Sequence, residues 1–280
     1  MPDLDALLQR IGLDSPPAPT LDGLQAIHRG YVAAVPYEDL AVQLREFRPL
    51  DVDALAERLL DGGRGGYCFE LNTVLAWILE ACGFTVTRHE GVVGLRERLD
   101  PSPPTNHLAL AVHLEAGTFL ADAGLGEGQI DAPPLAPGTY GGPLTMTIEA
   151  EPGGGWFLGH HAWGAFEGVR VAPAVVALDA FQPHHRRMST DPESRFYDTL
   201  IVQRPYRDRI ETLRARVLTV RGPHHDEQRV LEDADDLAST LAARFGIDPA
   251  ALGDERIARL WAAAAEQHER WLQTEAAQTR

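Results

Sequence analysis

Lysine is absent from this chain. All 25 of its basic residues are arginine, which excludes Schiff-base and other lysine-centred covalent chemistry. Positive charge is scarce altogether: a net charge of −16 offers nucleic acid or an anionic membrane no basic face, so neither is expected as a partner. Any anionic ligand must find a local exception. Long hydrophobic runs are missing too, with no segment able to span a bilayer and no N-terminal apolar run of signal-peptide type. With only two cysteines, this predicts a reducing, cytoplasmic setting. If one helix joins Cys68 to Cys82, it holds the sulfurs roughly 21 Å apart, beyond disulfide reach, so both are expected as free thiols. A chain of 280 residues can bury a sizeable core, as one large domain or as two or three packed subdomains.

One of those two cysteines stands in an informative place. In Arg64-Gly-Gly-Tyr-Cys68-Phe-Glu-Leu-Asn72 a glycine turn runs directly into a helical pattern, with Leu71, Leu75, Ile78 and Leu79 as its buried stripe and Gly83 as its stop. Cys68 is therefore predicted at a helix N-terminus, where unpaired N–H groups and the helix dipole favour the nucleophilic thiolate. A small buried thiol with no chemistry is the competing reading of the same residue.

Before Cys68, helices are predicted over residues 4–11, from Thr20 to Pro36, and from an Asp51 N-cap to Leu60, so the first eighty residues read as a helical bundle. From Phe84 the period changes to that of strands. Asn106 to Glu115 alternates Leu108, Leu110, Val112 and Leu114 with His107, Ala109, Ala111 and His113, so His107 faces away from the leucines. The Ala116-Gly117 turn and a strand over Thr118 to Ala123 complete a predicted hairpin with Asp122 on its return arm. Direct opposition of His107 and Asp122 centres the turn between Leu114 and Glu115; a diagonal contact or a bulge is the alternative. Further on, short strands with long connections are expected over 131–155, strands at 156–158 and 165–171, a loop over 183–192 and a strand from Phe196 to Pro205. Strands near 215–220 and 228–231 then precede a helix carrying Leu237, Leu241 and Phe245, and an amphipathic last helix from about Asp254.

A cysteine nucleophile needs a base for its proton and a third group to orient the base; Cys68, His107 and Asp122 supply these types in that order. The paired histidines His160-His161, His184-His185 and His224-His225 invite a metal reading. Adjacent residues on a strand face opposite ways and no cysteine or carboxylate stands at ligand spacing, so no metal is expected. Gly153-Gly-Gly155 lacks the Lys and Ser or Thr of a phosphate loop. Glu38 and Arg64 are expected to form a buried ion pair that fixes the glycine turn.

The stretch around Cys68 resembles the nucleophile signature of the arylamine N-acetyltransferases. Val35-Pro-Tyr-Glu38, Asn106-His107-Leu108, Leu120-Ala-Asp-Ala-Gly-Leu-Gly126 and Leu200-Ile-Val-Gln-Arg-Pro205 resemble further motifs of that family in the same order, over roughly residues 3–250. The resemblance implies an α+β, cysteine-protease-like fold in three parts. Residues 1–83 would form a helical bundle carrying the nucleophile, 84–194 a β-barrel carrying the histidine and aspartate, and 195–280 an α/β lid with the C-terminal helices. It also implies a ping-pong acetyl transfer from acetyl-CoA, through a Cys68 thioester, to an arylamine or arylhydrazine nitrogen, with no permanently bound cofactor. Tyr37, Leu125 and Gly126 would then lie at the substrate. Where the family usually reads Asp-Val-Gly-Phe-Gly, this chain has Asp122-Ala-Gly-Leu-Gly126, so Leu125 replaces an aromatic implied to line the acceptor pocket. Tyr37 and Asp39 stand where Phe and Asn are commoner, and Thr73 where the family often has Gly. The related ansamycin amide synthases, which release a chain from an acyl carrier protein as a macrolactam, are the nearest alternative. A catalytically silent binding module on the same fold is the alternative of another class.

Overall fold

The computed structural model describes residues 1–94 and 105–278. Its first helices begin where short polar side chains can cap them: Asp3 before α1 (Leu4–Arg10), Thr20 before α2 (Leu21–Ala34) and Asp51 before α4 (Val52–Leu60), each accepting the backbone N–H three residues on. Between α2 and α4 lie the two-residue strand β1 (Tyr37–Glu38) and the single turn α3 (Leu40–Gln43). Then comes α5 (Cys68–Ala81), buried on nearly every side from Cys68 to Leu79, which makes it the central helix of the molecule. α1, α2 and α4 pack around it, and its remaining face meets a sheet.

That sheet has seven antiparallel strands: β2 (Thr85–Gly94), β3 (His107–Leu114), β4 (Gly117–Ala121), β5 (Gly138–Tyr140), β6 (Met146–Ala150), β7 (Trp156–Gly159) and β8 (Gly168–Val175), in the order β4-β3-β2-β8-β7-β6-β5. It curls into a barrel. Ala109, Leu120, Ile148, Leu158 and Val169, spread from one side of the sheet to the other, share one small core. The seam is closed by backbone bonds from β4 to the segment ahead of β5, Leu120 N–H to Pro133 O and Leu135 N–H to Thr118 O. Both faces of β3 are therefore buried: Leu108, Leu110 and Val112 against α5, Ala109 inside the barrel.

After a short 3-10 turn, α6 (Gln182–Thr190) occupies the stretch expected as a loop. Pro183 sits in its first turn, where a missing N–H costs nothing, and its buried face is His185, Met188 and Ser189, a stripe that hydrophobic periodicity does not register. The strand expected from Phe196 starts later: Ser194 caps the short α7 (Arg195–Asp198), and only then does β9 (Ile201–Pro205) begin. β10 (Ile210–Arg214) was not expected, and the strand expected near 215–220 is β11 (Val217–Gly222). Ala215, with φ 48°, makes the turn that separates the two. β12 (His225–Val230), α8 (Ala234–Phe245), α9 (Pro249–Leu252) and α10 (Asp254–Gln278) complete the chain. β9 to β12 form a second sheet, and its first strand is β1, with Tyr37 opposite Gln203 and Glu38 opposite Val202. A reading of residues 1–80 as helices alone misses this strand, because two residues carry no period. Leu40 and Leu44 likewise belong to the core under α8 and α10.

Candidate active site

The chain enters α5 through a turn clamped by two buried ion pairs. Glu38 takes Arg64 Nε at 2.9 Å, together with the N–H groups of Gly65 and Leu40, as the sequence led us to expect for this pair. Burial pushes the Glu38 carboxyl up, but Arg64 and Arg58 outweigh it and hold the group below its ordinary value. Arg58 pairs with Glu70, also at 2.9 Å, and Glu70 accepts the N–H of Tyr67. Gly66 is required here, because a Cβ would lie 2.6 Å from both Arg58 and Glu70 side-chain atoms. Cys68 is the first residue after this clamp. It is almost fully buried, and its thiol lies 3.4 Å from the carbonyl of Asn106, the residue before His107.

The hairpin places histidine and aspartate by register. Leu114 stands opposite Gly117 and Leu110 opposite Ala121, so the turn is Glu115-Ala116, and β4 ends at Ala121 rather than at the expected Ala123, with Asp122 the first residue beyond it. The contact with His107 is thus diagonal, and His107 Nε2 lies 2.7 Å from Asp122 Oδ2. His107 Nδ1 is buried and makes no hydrogen bond. Burial alone would lower the basicity of His107; the Asp122 carboxylate reverses this, with the neighbouring Cys68 adding to it, and raises the imidazole to about 10. Burial likewise pushes Asp122 up, and His107, Asn72 and the Gly124 N–H more than offset it, leaving the carboxylate below its usual range. The pair is therefore an aspartate and an imidazolium.

Two residues that sequence reasoning did not single out hold this pair in place. Asn72, one turn after Cys68 on the same helix face, donates to Asp122 Oδ1 at 2.8 Å and to Leu108 O, and accepts from the Ala123 N–H. Its spacing of four from Cys68 was the available signal. His28 accepts the Asp122 N–H and donates through Nδ1 to Ile130 O, so it is held neutral; nothing in the sequence around α2 marks it. Gly124 lies against Cys68: a Cβ there would come within 2.7 Å of Cys68 Cα and 2.9 Å of its Cβ.

Cys68 and His107 open onto a cavity that Tyr37 and Leu125 also line. Gly126 lies outside that lining. Its φ of +70° and the approach of Gln203 and Tyr37, which a Cβ would meet at 2.3 and 2.9 Å, give it a structural task instead. Aromatic rings reach the cavity from Phe166 and Phe196, neither expected from the sequence, and α7, β9 and β10 add Arg195, Gln203 and Arg214. Glu127 lines it as well, its carboxylate accepting from Gln203 Nε2 and the Ala165 N–H. The neighbouring His160 and His161 correct another expectation. They follow β7 rather than lying in it, their rings are 3.9 Å apart, and both turn to Glu127 instead of to opposite faces. Among the described residues no group of three or more His, Cys, Asp or Glu side chains is arranged to hold a metal ion.

The N-acetyltransferase family model matches residues 20–251. The arylamine N-acetyltransferase of Mycolicibacterium smegmatis is 34% identical over 266 residues, covering 90% of this chain and 93% of its own length, and that of Escherichia coli is 28% identical over 257 residues. Among solved structures, the arylamine N-acetyltransferase from Mycobacterium abscessus superposes with a TM-score of 0.84 at 26% identity, covering 94% of this chain and 95% of that one. The Mycobacterium marinum enzyme in complex with CoA does so with 0.83 at 28%, covering 94% and 98%. With these similarities along nearly its whole length, the chain belongs to the arylamine N-acetyltransferase family.

Proposed function

We propose that Cys68 is the nucleophile through which this transferase moves an acetyl group from acetyl-CoA to an arylamine, with His107 as its acid and base and Asp122 as the group that orients the imidazole. The observation that carries this reading is the division of labour on His107: Nε2 is committed to Asp122, while Nδ1 is buried without a partner in the cavity that Cys68 lines. The Cys68 sulfur, with its proton held on His107, attacks the acetyl carbonyl of acetyl-CoA and the carbon–sulfur bond to CoA breaks. The departing CoA sulfur takes the proton from His107 Nδ1. In the second half the amine nitrogen attacks the Cys68 thioester, its proton passes to His107, and Cys68 leaves again as thiolate. The Cys68 backbone N–H, in the first turn of α5, is our candidate donor to the tetrahedral oxyanion.

A CoA-bound donor is supported by the CoA complex of the Mycobacterium marinum relative; an acyl carrier protein as donor finds no such support. Both cysteines are free and no helix among the described residues is long and apolar enough to cross a membrane, in keeping with a reducing, cytoplasmic setting as our reading. Mass spectrometry after mixing with acetyl-CoA tests the mechanism. An adduct of about 42 Da on Cys68, lost in Cys68→Ala and discharged by an arylamine, is the expected result. An unmodified Cys68 alongside undiminished turnover would sink the thioester.

A further inference from the structure

The barrel is filled at one end and open at the other. Met146, Ile148, Leu158 and Val169 pack its interior, and Val169 stands opposite Val93, two residues past Gly91, which is the partner of His107. Toward the other end of β3 the inward positions are small. Ala109 and Ala111 stand opposite His89 and Thr87 on β2, Ala111 also stands opposite Leu120 on β4, and His113 stands opposite Thr118. With Gly155 and Ala172, these residues leave a cavity of about 330 Å³, against about 90 Å³ for the one at Cys68. Among the described residues none lines both cavities, and six residues of β3, roughly 20 Å, separate His107 from His113. Small barrels hold either packed side chains or one small ligand, and barrel mouths are favoured ligand sites.

The chemistry of the wall selects the ligand. Leu120, Leu135, Trp156 and Val171 make it apolar, and among the described residues no arginine, aspartate or glutamate lines the cavity, so a charge buried there would go uncompensated. Its polar side chains belong to one directed chain of hydrogen bonds. The Ala172 carbonyl can only accept, so His89 Nδ1 donates to it at 3.1 Å, and His89 Nε2 accepts from the Thr87 hydroxyl at 2.9 Å. Burial holds the His89 imidazole below its ordinary value, in keeping with one nitrogen donating and the other accepting. The Ala111 carbonyl, 3.5 Å from the Thr87 hydroxyl, is the poorer acceptor. Thr87 then accepts from His113 Nε2 at 2.9 Å, and His113 Nδ1 accepts from the Thr118 hydroxyl at 3.2 Å. Thr118 has thereby given its one proton and meets the cavity with lone pairs only. We propose that the barrel mouth is a second small-molecule site, for an uncharged hydroxy-aromatic compound whose ring lies against Trp156 and whose O–H is accepted by Thr118. This site is independent of the Cys68 thioester.

2-Naphthol and 2-methoxynaphthalene share a ring system and differ in the donor, while 2-naphthoate adds a charge. Each is titrated calorimetrically into the full chain, before and after Cys68 is capped with iodoacetamide to occupy the catalytic cavity. In the capped protein 2-naphthol should bind at a single site, roughly three- to tenfold tighter than the ether, the worth of one hydrogen bond, and 2-naphthoate should bind more weakly than either. His113→Leu with Thr118→Val removes both acceptors at the rim, so the naphthol-to-ether ratio should fall to about one. Ala111→Leu narrows the cavity and should abolish binding of both compounds. Equal binding of naphthol and ether by the wild type overturns the proposal, as does a ratio that survives in the double variant, a preference for naphthoate, or undiminished binding by Ala111→Leu. Binding that disappears on capping Cys68 overturns it too, because the probes then occupy the catalytic cavity. Should Ala111→Leu fail to fold, the ratio in the double variant decides alone.

Discussion

Cys68, His107 and Asp122 meet on a wall where the protein satisfies almost everything itself. Asp122 receives His107, Asn72 and the Gly124 N–H, while its own N–H goes to His28. Across the same cavity the wall is different in kind. Leu125 and Phe196 offer apolar surface, and the side chains of Arg195 and Arg214 are exposed. In the first wall the free hydrogen-bonding capacity is a single nitrogen, His107 Nδ1. In the second, two exposed guanidiniums share the lining with the Glu127 carboxylate. A wall with one free group can hold one reacting arrangement, which suits fixed chemistry; a wall of apolar surface and exposed side chains can meet acceptors of different kinds. The contrast teaches that reaction and acceptor choice are separable here, and substitutions can test that separation.

The largest effect is expected from Asp122→Asn. The amide cannot hold His107 as imidazolium, and by analogy with the serine-protease triad roughly 10³- to 10⁴-fold should be lost from the rate of Cys68 acetylation. The same variant reads out in stability. His107 has a raised folded value and Asp122 a lowered one, so the pair contributes fully above the ordinary carboxylate range and below about 6.5. Its contribution declines as pH rises toward about 10, the folded value of His107, and again as pH falls through the depressed value of Asp122. The stability gap between wild type and variant, followed by denaturant titration, should therefore be widest near pH 5 to 6, on the order of a unit either way. A gap constant up to pH 10 would mean the imidazole is neutral.

Arg64→Ala should act on stability before chemistry. It leaves Glu38 buried and unpaired, costing about 3–5 kcal/mol in urea unfolding, with the surviving folded fraction still acetylated on Cys68. Gly124→Ala sharpens the packing side of the contrast. Its Cβ would enter the space of Cys68 Cα and Cβ, and displacing the nucleophile by a fraction of an ångström should cost roughly a hundredfold in acetylation rate, with a far smaller change in melting temperature. Leu125→Phe belongs to the other wall and should be the mildest. With Phe166 and Phe196 already present, it should shift the ranking among aryl acceptors by only several-fold, about 1 kcal/mol, while acetylation by acetyl-CoA holds steady. A slowed acetylation step in that variant would break the separation of the two walls.

What the sequence determined by itself follows from local rules. The glycine turn, the stripe from Leu71 to Leu79 and the alternation from His107 to Leu114 are set by backbone freedom and periodicity over a few residues, so they placed Cys68 at a helix start and His107 and Asp122 on one hairpin. Resemblance then supplied the family. Other features depended on partners distant along the chain, and only the tertiary structure decided them. β1 exists because β9 pairs with Tyr37 and Glu38 from more than 160 residues away. α6 buries His185 and Ser189, so its stripe is polar and leaves no hydrophobic period. His28 serves Asp122 across 94 residues, and Arg195 joins Arg214 only once α7 and β10 fold to the same mouth. Short-range periodicity records which face of an element is buried, not what covers it. The position of Cys68 was therefore legible from its own neighbourhood, whereas the wall facing it was assembled by contacts that no local pattern encodes.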